Sequence, residues 1–300
     1  MITEITLLPA LIRATKEVIN GFAAEMPDFA ASLIGQKEAE TKAYAEKALY
    51  SGLATAARRQ EGSGVNFDTP SIPYTKKYPL VIFTQGVQVG MSTWLRNPMG
   101  SIKPFNPELA RSMYNARQQF IADVYNNATD ATNYPIIDGV ALASASHPTS
   151  GATWSNISTA AALSYDALET MCVDMDGHLT YRDQKRTYPG SKRLILPRQL
   201  RLKGERIFQS SLKAESANND RNVLRTNGVI SEVAWNPFLS SATAYYLVDI
   251  KDNPIFELTF GGDRVVADEC IDDDSMKLAI HREMGSGANG AWGLQRNAGA

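Results

Sequence analysis

The stretch from Gly52 to Pro79 constrains the fold most. Gly52, Gly62, Gly64, Pro70, Pro73 and Pro79 punctuate it, and it holds few large aliphatic side chains. Loops longer than about 12–15 residues are uncommon in compact domains unless they are functional or carry their own hairpin. The following run, Tyr78-Pro-Leu-Val-Ile-Phe-Thr-Gln-Gly-Val-Gln-Val-Gly90, is β-branched and reads as a strand. Residues 52–90 are therefore expected to protrude as a hairpin-like loop, with a mobile surface loop as the alternative.

What precedes this loop is equally poor in core. Leu7, Leu8, Leu11, Ile12, Val18 and Ile19 form a helix-period stripe, which Gly21 and Pro27 are expected to interrupt. A second helical piece is expected around Phe29–Ile34, then an alanine-rich polar one through Glu38–Ala48. Such an arm must lie against the rest of the chain or against a neighbour. The clearest helix follows the loop. Asn106 is expected as its cap, Pro107 suits the first helical position and Glu108 the positive end of the dipole. Leu109, Met113, Ala116, Phe120 and Val124 then make one stripe, ending at Asn126-Asn127 and Asp130.

From Tyr134 to Ile250 short strands alternate with helices. Ser164 is the expected cap of a helix over Tyr165–Met175, with Leu168, Met171, Cys172 and Met175 on one side. Lys192–Pro197 reads as a strand, Gln199–Leu212 as a helix, Glu215–Arg221 as a polar loop, and Val229–Trp235 and Ala244–Ile250 as strands. The last fifty residues read as all-β, with strands at Ile255–Phe260 and Lys277–Glu283 and a turn at Gly261-Gly262-Asp263. The fold class is α+β, without an internal repeat.

The 300 residues are 44% apolar with a formal net charge of −2, enough chain to bury about 75% of its unfolded surface. Cys172 and Cys270 are too few for a disulfide scaffold. The opening Met1-Ile-Thr-Glu-Ile-Thr lacks the features of a signal peptide, and no stretch is apolar enough to span a bilayer. A soluble protein of a reducing cytoplasm is expected. Chemistry is equally sparse. His147, His178 and His281 lie far apart, without paired metal-ligand spacing. Gly285-Ser-Gly-Ala-Asn-Gly-Ala lacks the lysine of a phosphate loop, and Ser144, Ser146 and His147 are too close in sequence for a triad. Asp272-Asp-Asp274 lacks the ligand spacing of a calcium loop and reads as a solvated turn. Sequons at Asn127 and Asn156 carry weight only in a secreted chain. No enzyme, metal or cofactor is expected.

The net charge hides a segregation. Residues 182–206 hold Arg182, Lys185, Arg186, Lys192, Arg193, Arg198, Arg201, Lys203 and Arg206 against Asp183 and Glu205, a local charge of +7. Residues 263–274 hold Asp263, Asp268, Glu269, Asp272, Asp273 and Asp274 against Arg264, a local −5. The basic run suits phosphates, an acidic face of another subunit, or simply solvent.

At Asp138-Gly-Val-Ala-Leu-Ala-Ser-Ala-Ser-His-Pro148 the chain resembles the D-G-x-x-L-F-S-x-x-H-P string of tailed-bacteriophage major capsid proteins of the Hong Kong 97 fold type, with Ala143 where an aromatic is usual. Other landmarks follow in that family's order. Phe83-Thr-Gln-Gly-Val-Gln-Val-Gly is similar to the strand leaving its extended loop, and Pro107–Ala128 to its spine helix. Lys192-Arg-Leu-Ile-Leu-Pro-Arg-Gln-Leu200 with Gly204–Ser211, and Asn227–Val248, resemble two further motifs. The resemblance covers roughly 55–300. It implies an N-terminal arm over 1–55, an extended β-hairpin loop over 56–90, a peripheral domain with the spine helix over 91–135, an axial domain over 136–250, and peripheral return strands over 251–300.

The resemblance further implies a non-enzymatic shell protein that self-assembles as hexamers and pentamers into an icosahedral head enclosing double-stranded DNA. It would be located in the virion and assembled in the host bacterial cytoplasm. Expected partners are further copies, a separate scaffolding protein, a portal, a decoration protein, and DNA held by non-specific contact; no membrane is involved. Arg58, Arg59, Lys76 and Lys77 are the expected loop contacts to adjacent subunits. Arg182, Lys185, Arg186, Lys192 and Arg193 are the expected basic interface or DNA-facing group, and Asp268, Glu269, Asp272, Asp273 and Asp274 the acidic interface. Some relatives join subunits by a Lys–Asn isopeptide bond, for which Lys76 or Lys77 and Asn289 or Asn297 have the chemistry. Two other readings stay open: an encapsulin-like cargo compartment, and a free DNA-binding protein using 182–206.

Overall fold

The computed structural model describes residues 4–62, 64–65, 67–213, 220–270 and 272–300. The start Met1–Thr3 and most of the polar loop expected at Glu215–Arg221 lie outside them. Helix α1 spans Glu4–Glu25 and runs through both Pro9 and Gly21. Gly21 does not interrupt it, because the helix is held by packing: Leu11 and Ile19 are buried against Leu109, Met113, Val265 and Leu278. Such burial outweighs a glycine penalty of about 1 kcal/mol. Phe29–Ile34 forms only a 3-10 turn at Ala30–Ser32.

The alanine-rich stretch is not helical. It forms β1 (Gln36–Ala39) and β2 (Tyr44–Leu49). Strand β2 pairs antiparallel with β3 (Tyr74–Pro79), placing Ala45 opposite Tyr78 and Lys47 opposite Lys76. The two lysines are drawn apart, Lys47 to Glu38 and Lys76 to the Pro135 carbonyl. The hairpin stem thus begins near residue 44 rather than 56. Strand β4 (Val81–Gly90) is not part of it.

After β4 come α2 (Met91–Arg96), α3 (Pro98–Ile102), a 3-10 turn and then α4 (Asn106–Asn126). Asn106 is not a cap. It is buried in helical conformation and is entered directly from the 3-10 turn. The buried face of α4 also differs from the expected stripe, because the helix serves two cores. Leu109, Ala110 and Met113 pack beneath α1, whereas Ile121, Ala122 and Tyr125 enter a second core with Ile195, Tyr246 and Leu294. Phe120 and Val124 lie on the half-buried flank, Phe120 against Phe83 at 5.1 Å.

Three short strands follow: β5 (His147–Pro148), β6 (Thr153–Trp154) and β7 (Ile157–Ser158). Helix α5 (Tyr165–Asp176) is capped by Ser164, whose hydroxyl oxygen accepts from Ala167 N at 3.2 Å, a contact worth about 1 kcal/mol. Then come β8 (Lys192–Pro197), a 3-10 turn at Arg198–Leu200, α6 (Arg201–Gln209), α7 (Val223–Thr226), β9 (Ile230–Asn236) and β10 (Tyr245–Asp249). The C-terminal part holds β11 (Ile255–Cys270), β12 (Ser275–Ala288) and β13 (Leu294–Asn297).

Two sheets result. The first has the order β1-β11-β12-β4 and carries α1 and the first half of α4. Gly261–Asp263 is not a turn in it but part of a bulge in β11, where the register shifts between Phe260 and Arg264. Gly261 takes φ +62° there, and the reversal comes later, at Asp272–Asp274. The second sheet has the order β7-β13-β10-β8-β9. Its strands alternate between two cores: Leu194, Leu196, Tyr245 and Leu247 face α5 and α6, whereas Ile195, Tyr246 and Val248 face the end of α4. Strand β13 belongs to this second sheet, so the return segment 251–300 is divided between the two. No helix among the described residues is long and apolar enough to cross a membrane.

Candidate functional site

Beyond the β2–β3 stem, the described residues of 50–73 form no helix or strand, and Tyr50, Leu53, Val65, Phe67 and Ile72 are exposed, Phe67 at 89%. Arg58 and Arg59 stand exposed on it. Lys77 is also exposed, its ammonium 5.0 Å from the Tyr44 ring. Lys76 turns inward instead: it donates to Pro135 O, lies 4.9 Å from the Tyr78 ring, and burial lowers its pKa. It is an anchor within its own protomer. The loop base is tied down further by Arg182, which meets Asp68 at 3.3 Å and donates to Thr69 O at 3.1 Å, and by Gln184, which donates to Leu53 O at 3.2 Å.

The first part of the basic run does not form one surface strip, because Arg182, Arg186 and Arg193 find acids far away in sequence. Arg186 pairs with Asp252 at 2.6 Å and stacks over Trp292. Alternation along β8 sends Lys192 and Arg193 to opposite faces. Lys192 is 7% exposed, and Arg193 pairs with Glu232 at 2.8 Å while donating to Ser32 O. Of the five basic residues expected at an interface, Lys185 alone is exposed. The acidic group sits at the β11–β12 reversal. Lys277, 2.6 Å away, and the Ser275 hydroxyl hold the Asp273 carboxyl well below the usual carboxylate range. Asp274 has φ +47°, and Asp268, Asp272 and Asp274 face solvent, with Glu269 half-buried. No metal-holding cluster occurs among the described residues.

The string Asp138–Pro148 closes on itself. Gly139, at φ +80°, allows a tight turn in which Ile136 N donates to Val140 O and Val140 N to Asp138 Oδ1. The turn brings the two ends of the string together, with His147 Nδ1 2.9 Å from Asp138 Oδ2. His147 Nε2 lies 3.1 Å from Asn156 Oδ1, and the Asn156 amide donates to Leu142 O. Ala143 is buried in the same cluster as Trp154. The histidines are not all dispersed. The His147 and His178 rings both pack on Trp154, at 4.8 and 4.4 Å, whereas His281 stands apart on β12. Sequence spacing carried no signal of this convergence, since β6 and the segment after α5 meet only through the tertiary fold.

Two sizeable cavities occur among the described residues. One of about 430 Å³ lies between α1, α4 and the β11 bulge, and its Arg117, Glu257, Asp263 and Arg282 are all paired within the protomer. One of about 360 Å³ lies beside Tyr181, Arg186, Asn289 and Trp292. Asn297 is buried, bonded to Ala161 N, Gly299 N and Thr159 O. Burial pushes the Cys172 thiol up to about 11.

No protein-family profile matches the chain, and no curated protein matches it in sequence. Solved structures do match in fold. A virus-like particle from Pyrococcus furiosus aligns over 94% of this chain and 97% of that chain with a TM-score of 0.54, at 8% identity. The capsid of the cyanophage P-SCSP1u aligns over 88% and 86%, also with a TM-score of 0.54 and 8% identity. The chain has the Hong Kong 97-like capsid fold. Mycobacterium phage Patience gives a TM-score of 0.54 over 97% of this chain and 88% of that one, at 13% identity.

Proposed function

We propose that the chain is a major capsid protein that assembles as hexamers and pentamers into the icosahedral head of a tailed bacteriophage, enclosing double-stranded DNA. The observation that carries this reading is the capsid fold extending over nearly the whole of both aligned chains. The loop supports it: a segment with Phe67, Val65 and Leu53 exposed is a liability in a monomer and an asset when covered by another copy. Summed over its neighbours, each subunit would bury an obligate-sized interface. Arg58, Arg59 and Lys77 are the loop groups assigned to neighbouring subunits; Lys76 is assigned to its own. A separate scaffolding protein, a portal and a decoration protein would complete the particle, located in the virion after assembly in the host cytoplasm. A cargo compartment shell shares the fold and differs in what it encloses.

Charge reversal tests the loop. Arg58→Glu with Arg59→Glu is expected to shift most of the protein, in sedimentation velocity, from particle-sized material to small species, with an unchanged helical circular dichroism signal. A variant that sediments like wild type would remove these residues from the interface. An unfolded variant would place them inside the protomer.

A further inference from the structure

The chain crosses from the first sheet to the second over 289–293, and one buried network holds that crossing. Trp292 Nε1 donates to Leu179 O at 2.7 Å, and Gly293 N donates to the Tyr188 hydroxyl oxygen at 3.0 Å. Trp292 stacks with Trp154 at 6.4 Å, and Arg186, paired with Asp252, lies over its ring at 5.1 Å. In the middle sits His178, fully buried, with Nδ1 2.7 Å from the Tyr188 hydroxyl and Nε2 2.8 Å from Gln295 Oε1 on β13.

The hydrogen positions follow from the partners. The Gln295 amide nitrogen donates to Ser158 Oγ at 2.9 Å, and the Ser158 hydroxyl donates to Asp174 Oδ2 at 2.5 Å. Gln295 therefore presents its oxygen to His178, and His178 Nε2 carries the hydrogen. The Tyr188 oxygen already accepts from Gly293, so its own hydrogen points at His178 Nδ1. That network is complete only with a neutral His178. His147 is the opposite case. Its two nitrogens face Asp138 Oδ2 and Asn156 Oδ1, and the Asn156 amide nitrogen is committed to Leu142 O, so both ring nitrogens face acceptors.

We infer that the His147–Trp154–His178 stack is a one-proton lock on the C-terminal crossing. His178 carries hydrogen on Nε2 alone, beside a His147 whose two ring nitrogens both face acceptors. A second proton, arriving at His178 Nδ1 as the medium turns acid, breaks the Tyr188 bond and loosens the docking of β13. The lock belongs to the protomer and does not depend on the shell reading.

The surroundings oppose the second proton. Burial lowers the His178 pKa to about 4, the Gln295 bond raises it in part, and His147 and Arg186 lower it further. The charged and titratable groups facing the stack are Asp138 on His147, Asp174 through Ser158, Arg186 with its Asp252, and Tyr188, whose phenol burial pushes up. The unfolded chain binds this proton near the ordinary histidine value of about 6.5, before the folded chain does. Folding stability from this residue is therefore present in full above pH 6.5 and is lost as pH falls towards 4, by roughly two orders of magnitude in the folding constant.

Hydrogen–deuterium exchange of the full chain, corrected for intrinsic rates, tests the lock between pH 7 and pH 4. Amides over 289–297 are expected to exchange at least tenfold faster at pH 4, and His178→Gln to abolish that rise. Tyr188→Phe removes the bond to neutral Nδ1, and His147→Gln removes the neighbouring imidazole that lowers the His178 pKa; each is expected to move the rise to higher pH. Wild-type exchange that stays flat, or a rise retained in His178→Gln, overturns the lock. Should His178→Gln fail to fold at pH 7, an unmoved rise in both other variants overturns it equally.

Discussion

Arg117→Met is expected to destabilise the protomer by about 3–5 kcal/mol, the usual penalty for stripping one partner from a buried ion pair. Arg117, on α4, grips Glu257 through Nε at 2.5 Å and Nη2 at 2.7 Å, and reaches Asp28 with Nη1 at 2.8 Å. Glu257 lies on β11 with its side chain only 3% exposed, so water cannot replace the guanidinium. This fork joins α4 to the first sheet and to the segment following α1. The double variant Arg117→Met with Glu257→Met removes both charges and is expected to recover most of the loss. Urea denaturation of both variants beside the wild type measures it. A single-variant cost below about 1 kcal/mol would class the pair with exposed salt bridges and contradict its burial.

Gly293→Ala is expected to cost about 2–5 kcal/mol, from two causes. Gly293 has φ +75°, where an L residue loses about 1–2 kcal/mol. An added Cβ would also stand 2.0 Å from the Asp252 carbonyl oxygen, a backbone atom that can yield only by moving the crossing, with a packing cost of about 1–3 kcal/mol. Gly261→Ala provides the comparison. It shares a positive φ, +62°, but an added Cβ meets nothing within 4 Å, so only the conformational cost of about 1–2 kcal/mol remains. Equal losses for the two variants in thermal unfolding would show that the crossing is not tightly packed.

What could be read from the sequence was local. The Ser164 cap, the apolar run of β8 and the ends of β10 stand close to where pattern alone places them, because each is decided by neighbours a few residues away. The α+β class rested on the order of helical and strand patterns and the capsid resemblance on short ordered motifs, and the fold agrees with both. What was hidden depends on distant partners. Glu38–Ala48 has helical composition but is held as strand by Phe256–Thr259 and Tyr74–Pro79. The bulge after Phe260 lets β11 run on where Gly261-Gly262 suggests a turn. Arg182, Arg186 and Arg193 read as a free basic run because Asp68, Asp252 and Glu232 are remote in sequence. His147 and His178 read as isolated because nothing local places Trp154 between them.

Cryo-electron microscopy of the purified full-length chain, imaged with and without its co-expressed genomic neighbours, tests the central claim most directly. Closed icosahedral shells are expected, in which the exposed loop residues Arg58, Arg59 and Phe67 lie against an adjacent subunit. Dispersed monomers under all conditions, or shells in which loop 50–73 remains uncovered, would contradict it.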